Sequence, residues 1–163
     1  MKHIEQIIST LELQPHPEGG FYKETYRHSQ ITTSSETKNE RNLGTAIYFL
    51  LTSENFSAFH RIKQDEIWHF YSGSTLHLHI LNKNGNYNLV KIGNDLQNGE
   101  VPQYCVNSGD WFAAEIPSND SYALVGCTVI PGFDFRDFEL ASFNQLTKLY
   151  PKNSALIKKL TRS

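Results

Sequence analysis

His60 and Glu66 lie six residues apart in an aromatic-rich stretch, Phe59-His60-Arg61-Ile62-Lys63-Gln64-Asp65-Glu66-Ile67-Trp68-His69-Phe70-Tyr71-Ser72-Gly73. A histidine and a carboxylate facing each other in an apolar cavity have three uses. They supply two ligands to a divalent metal, they form an oriented acid/base pair with perturbed pKa values, or they satisfy each other as a buried polar pair. Strand alternation puts Glu66, Trp68 and Phe70 on one face and Ile67, His69 and Tyr71 on the other. His60 and Ile62 share a face of the preceding segment, so a hairpin at Lys63-Gln64-Asp65 is expected to bring His60 opposite Glu66.

The other histidines are weighed as additional ligands. His69 points away from Glu66 and cannot share a metal with it. His77 and His79 have a metal-compatible spacing on one strand, but Leu76, Leu78 and Ile80 already supply that strand's apolar face, which leaves the two histidines on the wetter side. His16 and Glu18 stand in a Pro/Gly loop, Gln14-Pro15-His16-Pro17-Glu18-Gly19-Gly20, where they are candidates to close over a pocket.

These groups must be held by the surrounding elements. A chain of 163 residues has room for one ordinary core, so a single domain over residues 1–163 is expected. Lys2 to Leu13 has helical periodicity. From Thr45 onward, β-favouring runs recur between turn signals: Thr45–Thr52, Phe56–Ile62, Glu66–Tyr71, Thr75–Asn82, Tyr87–Ile92, Gln103–Val106, Trp111–Ile116 and Tyr122–Ile130. Asn84-Gly85 is a hairpin turn signal. Phe21 to Arg27 alternates aromatics and charges, and Ser29 to Arg41 reads as a mobile surface loop. Ser142–Tyr150 and Asn153–Leu160 read as helices broken at Pro151. Short strands in succession with helices only at the ends predict an all-β sandwich or barrel.

Composition narrows the partners. Fifteen Lys and Arg against 17 Asp and Glu give no basic stripe, so no nucleic-acid partner is expected; Lys158, Lys159 and Arg162 fit the end of a helix. The longest apolar run, Ala46 to Leu51, falls far short of the roughly 20 residues that span a bilayer. The N-terminal Ile4, Ile7, Ile8 and Leu11 are interrupted by Glu5 and Glu12, unlike a signal peptide. A cytoplasmic protein without a membrane partner is expected. Cys105 and Cys127, both in apolar runs, read as buried free thiols.

Long strings carry a family resemblance: Pro15-His16-Pro17-Glu18-Gly19-Gly20-Phe21-Tyr22-Lys23-Glu24-Thr25-Tyr26-Arg27, Thr45-Ala46-Ile47-Tyr48-Phe49-Leu50-Leu51, Asp65 to Tyr71, Leu124 to Val129, and Pro131-Gly132-Phe133-Asp134-Phe135. With them the chain resembles the RmlC-like cupins, and within these the cupin_5 group, from about Leu11 to about Leu160. The resemblance implies an all-β cupin double-stranded β-helix, a jelly-roll barrel with short terminal helices, a pocket inside the barrel, and assembly as a homodimer. Against the cupin motifs, Ile62 replaces the second histidine of the first motif. In the second motif Gly109 is kept, Asn107 replaces the proline and Phe112 replaces the histidine. Two of the four usual ligands are therefore apolar, and no cofactor is expected; a divalent metal would rest on His60 and Glu66 completed by other groups.

Three functions follow as expectations, all with a small-molecule ligand in the barrel. The first is a metal-independent sugar or nucleotide-sugar epimerase or isomerase. In it His60 is the base and Glu66 the orienting or protonating group. Trp68, Phe70, Trp111 and Phe112 form an apolar wall, and Tyr48 or Tyr122 is an opposing acid. The second is a metal-dependent isomerase or dioxygenase, and the third a non-catalytic binding protein. The run from Phe133 to Glu139 reads as packing against the barrel or a partner subunit.

Overall fold

The computed structural model describes residues 2–162. Helix α1 (Lys2–Thr10) leads into β1 (Gln14–Pro15) and β2 (Phe21–Arg27). A hairpin of β3 (Ile31–Thr33) and β4 (Glu40–Asn42) precedes β5 (Thr45–Thr52), β6 (Phe56–Arg61), β7 (Asp65–Gly73), β8 (Leu76–Leu81) and β9 (Tyr87–Ile92). The chain continues through β10 (Gln103–Val106), β11 (Trp111–Glu115), β12 (Tyr122–Ile130) and β13 (Glu139–Leu140), and ends in α2 (Phe143–Leu149) and α3 (Ser154–Lys159).

The strands form two facing antiparallel sheets, one ordered β1-β2-β5-β12-β7-β10 and the other β13-β6-β11-β8-β9. From β5 to β8 and again from β9 to β13 successive strands alternate between the sheets, so the chain winds a jelly roll rather than a meander. The inner faces supply the main core, with Phe49, Leu51, Val125 and Trp68 from the first sheet against Leu76, Leu78, Ile80 and Phe112 from the second. A second core lies behind the second sheet, where Phe59, Leu81 and Trp111 meet Leu146, Tyr150 and Ile157 of the C-terminal segment. Alternation decides which residue joins which core: Phe112 and Ala114 face inward, Trp111 and Ala113 outward.

Three expectations are corrected. Lys63-Gln64-Asp65 is a crossover, not a hairpin, because β6 and β7 belong to different sheets. Gln64 is buried there, its amide donating to Asp137 Oδ2 at 2.7 Å. Ser29 to Arg41 is a structured hairpin whose Thr37 and Arg41 are buried. Cys105 is exposed, since Tyr104 and Val106 take the inward positions of β10, while Cys127 is buried.

Arg41 fastens the hairpin to the segment after β12. Its Nε and Nη2 donate to Asp137 Oδ2 and Oδ1 at 2.7 and 2.9 Å, both side chains being almost wholly buried. Removing Arg41 leaves the buried Asp137 carboxylate with only Gln64 and the half-exposed Lys63 as partners, so Arg41→Ala is expected to lower the unfolding free energy by about 3 kcal/mol, the low end for breaking a buried pair. Urea denaturation measures this; a loss below about 1 kcal/mol, the scale of an exposed pair, contradicts the assignment.

Candidate functional site

The open end of the barrel holds a cavity of about 390 Å³ between the two sheets. Three segments put titratable groups into it. The first is the loop after β1, which carries His16 and Glu18. Its turn is closed by Gly19 N–H donating to His16 O and by His16 N–H donating to Gly20 O. Gly19 and Gly20 have φ of 114° and 77°, and a Cβ at Gly19 would meet Phe56 O at 2.1 Å. Only glycine lets the loop lie this close to β6.

The second segment is β6. Its pairing with β11 slips between Phe112 and Ala114, so that His60 pairs Phe112 and Ser57 pairs Ala114. The extra residue of this bulge turns Ser57 and His60, three apart, to the same inner face. The third segment is β7, where simple alternation points Glu66 inward above Trp68.

Glu18 is the centre of the cluster and is 6% exposed. Its Oε1 accepts from Ser57 Oγ at 2.9 Å, and its Oε2 lies 3.0 Å from His60 Nε2. His60 Nδ1 is 2.7 Å from Ala58 O. A carbonyl only accepts, so Nδ1 carries a proton and Nε2 faces the carboxylate. Burial favours neutral His60, but the charge and hydrogen bond of Glu18, and then the charge of Glu66, outweigh it and hold its pKa above the usual value. Burial likewise opposes ionisation of Glu18, yet His60, His16 and Ser57 together keep its pKa below the ordinary range. The two form a buried ion pair, with the His60 ring packed 4.1 Å from Phe112.

His16 is held in the opposite state. Its Nδ1 accepts the backbone N–H of Glu18 at 3.2 Å, which leaves the neutral ring its proton on Nε2. Burial, with the charge of His60 and against that of Glu18, lowers its pKa. Glu66 is 8% exposed. Its pKa is pushed up to about 7 by burial and then by the charge of Glu18, against the charge of His60 and a hydrogen bond with Cys127. The inner part of the cavity thus favours a charged His60 beside an ionised Glu18 and a neutral His16, with the Glu66 carboxyl at a pKa of about 7.

His16, Glu18, His60 and Glu66 therefore come together as cavity residues. The other residues expected around the ligand are placed differently. Trp68 lies in the core between Phe49 and Phe112, Phe112 lies beneath His60, and Phe70 packs on the same core, so none of the three forms the cavity wall. Tyr48 is on the outer face of the first sheet beside Tyr71, at 6.1 Å between rings. Trp111 is in the second core under the Arg61 guanidinium. The Tyr122 hydroxyl bonds His3 at 3.0 Å. Each of these three is on the wrong side of its strand. His77 and His79 also face outward, where His79 meets Tyr87 and Glu115.

The walls come instead from residues that strand reading passed over. Tyr22, Glu24 and Arg27 of β2 line the cavity, a bulge between Glu24 and Tyr26 turning both charged residues toward it. Phe133, Asp134, Phe135 and Phe138 form its rim, so this run is a wall of the site and not only packing. The mixed aromatic and charged alternation of Phe21 to Arg27 was the one sequence signal for a polar strand face.

A metal fits these residues poorly. Both ring nitrogens of His60 are engaged by protein groups. Among the described residues no group of three His, Cys, Asp or Glu is arranged to hold an ion.

Known proteins place this architecture. Residues 5–141 match the model of the Cupin_5 family, cupin superfamily (DUF985). The chain belongs to this family. It is similar to the uncharacterized protein YML079W of Saccharomyces cerevisiae, with 31% identity over 147 residues that cover 82% of this chain and 73% of the yeast one. Among solved structures, a hypothetical protein from Leishmania major is 37% identical with a TM-score of 0.92, over 98% of both chains. Protein SO0799 from Shewanella oneidensis is 39% identical with a TM-score of 0.88, over 97% of this chain and 96% of that one. Oxalate decarboxylase from Bacillus subtilis, 14% identical with a TM-score of 0.56 over 94% of this chain and 37% of its own, shares the cupin fold alone. No helix among the described residues is long and apolar enough to cross a membrane.

The raised Glu66 pKa has a consequence for stability. A folded-state value of about 7 against an ordinary 4.5 means a contribution fully present below about pH 4.5 and lost as pH rises through about 7. Relative to Glu66→Gln, which has no proton to lose, the wild-type protein is expected to lose on the order of 3 kcal/mol between pH 4.5 and 8. Parallel stability profiles for the two proteins would contradict the assignment.

Proposed function

We propose that this cupin binds a small carbonyl compound in the barrel and catalyses proton transfer at the carbon beside the carbonyl, as a sugar epimerase or isomerase does. The observation that carries this reading is the Glu66 carboxyl, buried in the cavity with a pKa of about 7. A group near its midpoint at working pH is efficient both as acceptor and as donor of a proton.

The roles differ from a simple His60 base. With both nitrogens committed, His60 has no lone pair to offer; its charge instead fixes Glu18 and opposes the rise of the Glu66 pKa. Glu66 in its ionised form takes the carbon-bound proton and returns it. His16 presents Nε2–H as a neutral donor to the carbonyl oxygen as negative charge develops there, the polarising task a neutral imidazole performs well. Phe49, Ile47 and Val129 line the same space and limit water around the carboxyl.

Deuterium exchange from D₂O into unphosphorylated and phosphorylated aldoses and ketoses, followed by proton NMR, tests the reading. Exchange is expected to rise with pH to a plateau just above about 7, and to fall by about 10²- to 10⁴-fold in Glu66→Gln. Replacing His16 with Gln is expected to cost about 10- to 100-fold. Exchange indifferent to both substitutions, or absent for a ligand shown to bind, refutes proton-transfer catalysis and favours a binding protein.

A further inference from the structure

We infer that the cavity selects an uncharged, polyhydroxylated ligand of monosaccharide size and rejects phosphorylated and nucleotide-linked sugars. This deepens the proposed function and rests on the same cavity being the ligand site.

A sugar phosphate or a nucleoside diphosphate ester must have its phosphates neutralised, ordinarily by free arginines, lysines or a helix N-terminus. The cavity offers none of these. Among the described lining residues Arg27 is the one Lys or Arg, and its guanidinium is committed. It donates to Glu24 Oε1 and Oε2 at 2.9 and 2.7 Å, to Asn42 Oδ1 at 2.8 Å and to Phe133 O at 3.1 Å. His60, the remaining cation, is matched by Glu18. Asp134 adds a further carboxylate at the rim, its partner Arg136 holding it well below the usual carboxylate range. An arriving phosphate therefore meets cations already matched by carboxylates, Arg27 by Glu24, His60 by Glu18 and Arg136 by Asp134, and must break one of these pairs to be neutralised.

Beyond these pairs the lining carries hydrogen-bonding side chains without a fixed charge, Gln14, Tyr22 and His16 with its Nε2–H, together with the Glu66 carboxyl. Hydroxyl groups, which both donate and accept, suit that set. Beside it stand aromatic faces. Phe133 and Phe135 meet edge to face at 4.9 Å, and Phe135 stacks over His16 at 6.0 Å while remaining 49% exposed. An apolar ring face opposite polar groups matches a pyranose, which has C–H faces and a hydroxyl girdle. A volume of about 390 Å³ stands at the small end of ligand pockets, which run from about 300 to 1,000 Å³.

The test is calorimetric binding to the intact protein of neutral pentoses and hexoses, their 1-phosphates, and the corresponding nucleoside-diphosphate sugars. At least one neutral sugar is expected to bind, and its phosphate and nucleotide forms to bind at least about tenfold more weakly. Glu24→Gln, which loosens Arg27, is expected to raise the ratio of sugar-phosphate to neutral-sugar affinity roughly fivefold or more. The inference is overturned by a phosphorylated or nucleotide-linked sugar that binds as well as its neutral form, by a panel in which no neutral sugar binds, or by a ratio that Glu24→Gln leaves unmoved. Its failure is separable from that of the proton-transfer reading. A neutral sugar that binds without deuterium exchange removes the reaction and keeps the selectivity, whereas exchange on a tightly bound sugar phosphate does the reverse.

Discussion

The buried ion pair between Glu18 and His60 sits at the centre of the barrel cavity and, together with burial, sets the state of Glu66 and His16. Two opposite charges withdrawn from water are tolerated only when their remaining hydrogen bonds are made, and here Ser57 and the Ala58 carbonyl make them. The pair then acts at a distance. The charge of Glu18 raises the Glu66 pKa while that of His60 restrains the rise. His60 also discourages protonation of His16, which burial already disfavours. The cavity is thus electrostatically organised by these charges, with Ile62 and Phe112 apolar beside them.

The backbone devices that assemble the pair are local irregularities in a regular jelly roll. The glycines at positions 19 and 20 let the loop approach β6 closely enough for Glu18 to reach His60. The bulge in β6 turns Ser57 and His60 to one side, and that in β2 does the same for Glu24 and Arg27. The Arg41–Asp137 bridge, with Gln64, pins the hairpin and the crossover to the chain that supplies the aromatic rim. Each irregularity lies beside the cavity, in keeping with the tendency of bulges to re-aim side chains near active sites.

Much of this was legible in the sequence. Strands β2, β5, β9, β10 and β12 have the bounds that alternation and turn signals predicted, because regular strands write their period into the chain. Glu66 was found for the same reason. Glu18 was identified as a loop residue near a pocket, but its partnership with His60 was not, since a contact between residues 42 apart that depends on two left-handed glycines and a bulge leaves no periodic trace. Tyr48, Trp111 and Tyr122 were misplaced because large aromatics suit either side of a strand covered on both faces. Phe112, next to Trp111, shows how one residue of register decides between the two cores. The Phe133 to Phe138 rim follows β12 without strand period, and nothing local distinguishes a wall of three phenylalanines from ordinary packing.

The central claim is that one carboxyl group in this barrel titrates near neutrality because burial raises its pKa further than the neighbouring ion pair lowers it. Carbon-13 NMR of the Glu66 carboxyl as a function of pH, assigned with Glu66→Gln, tests that claim directly. The midpoint is expected at about 7, and to rise in Glu18→Gln/His60→Gln, because the His60 charge that lowers it outweighs the Glu18 charge that raises it. A midpoint in the ordinary carboxylate range, near 4.3, would contradict it.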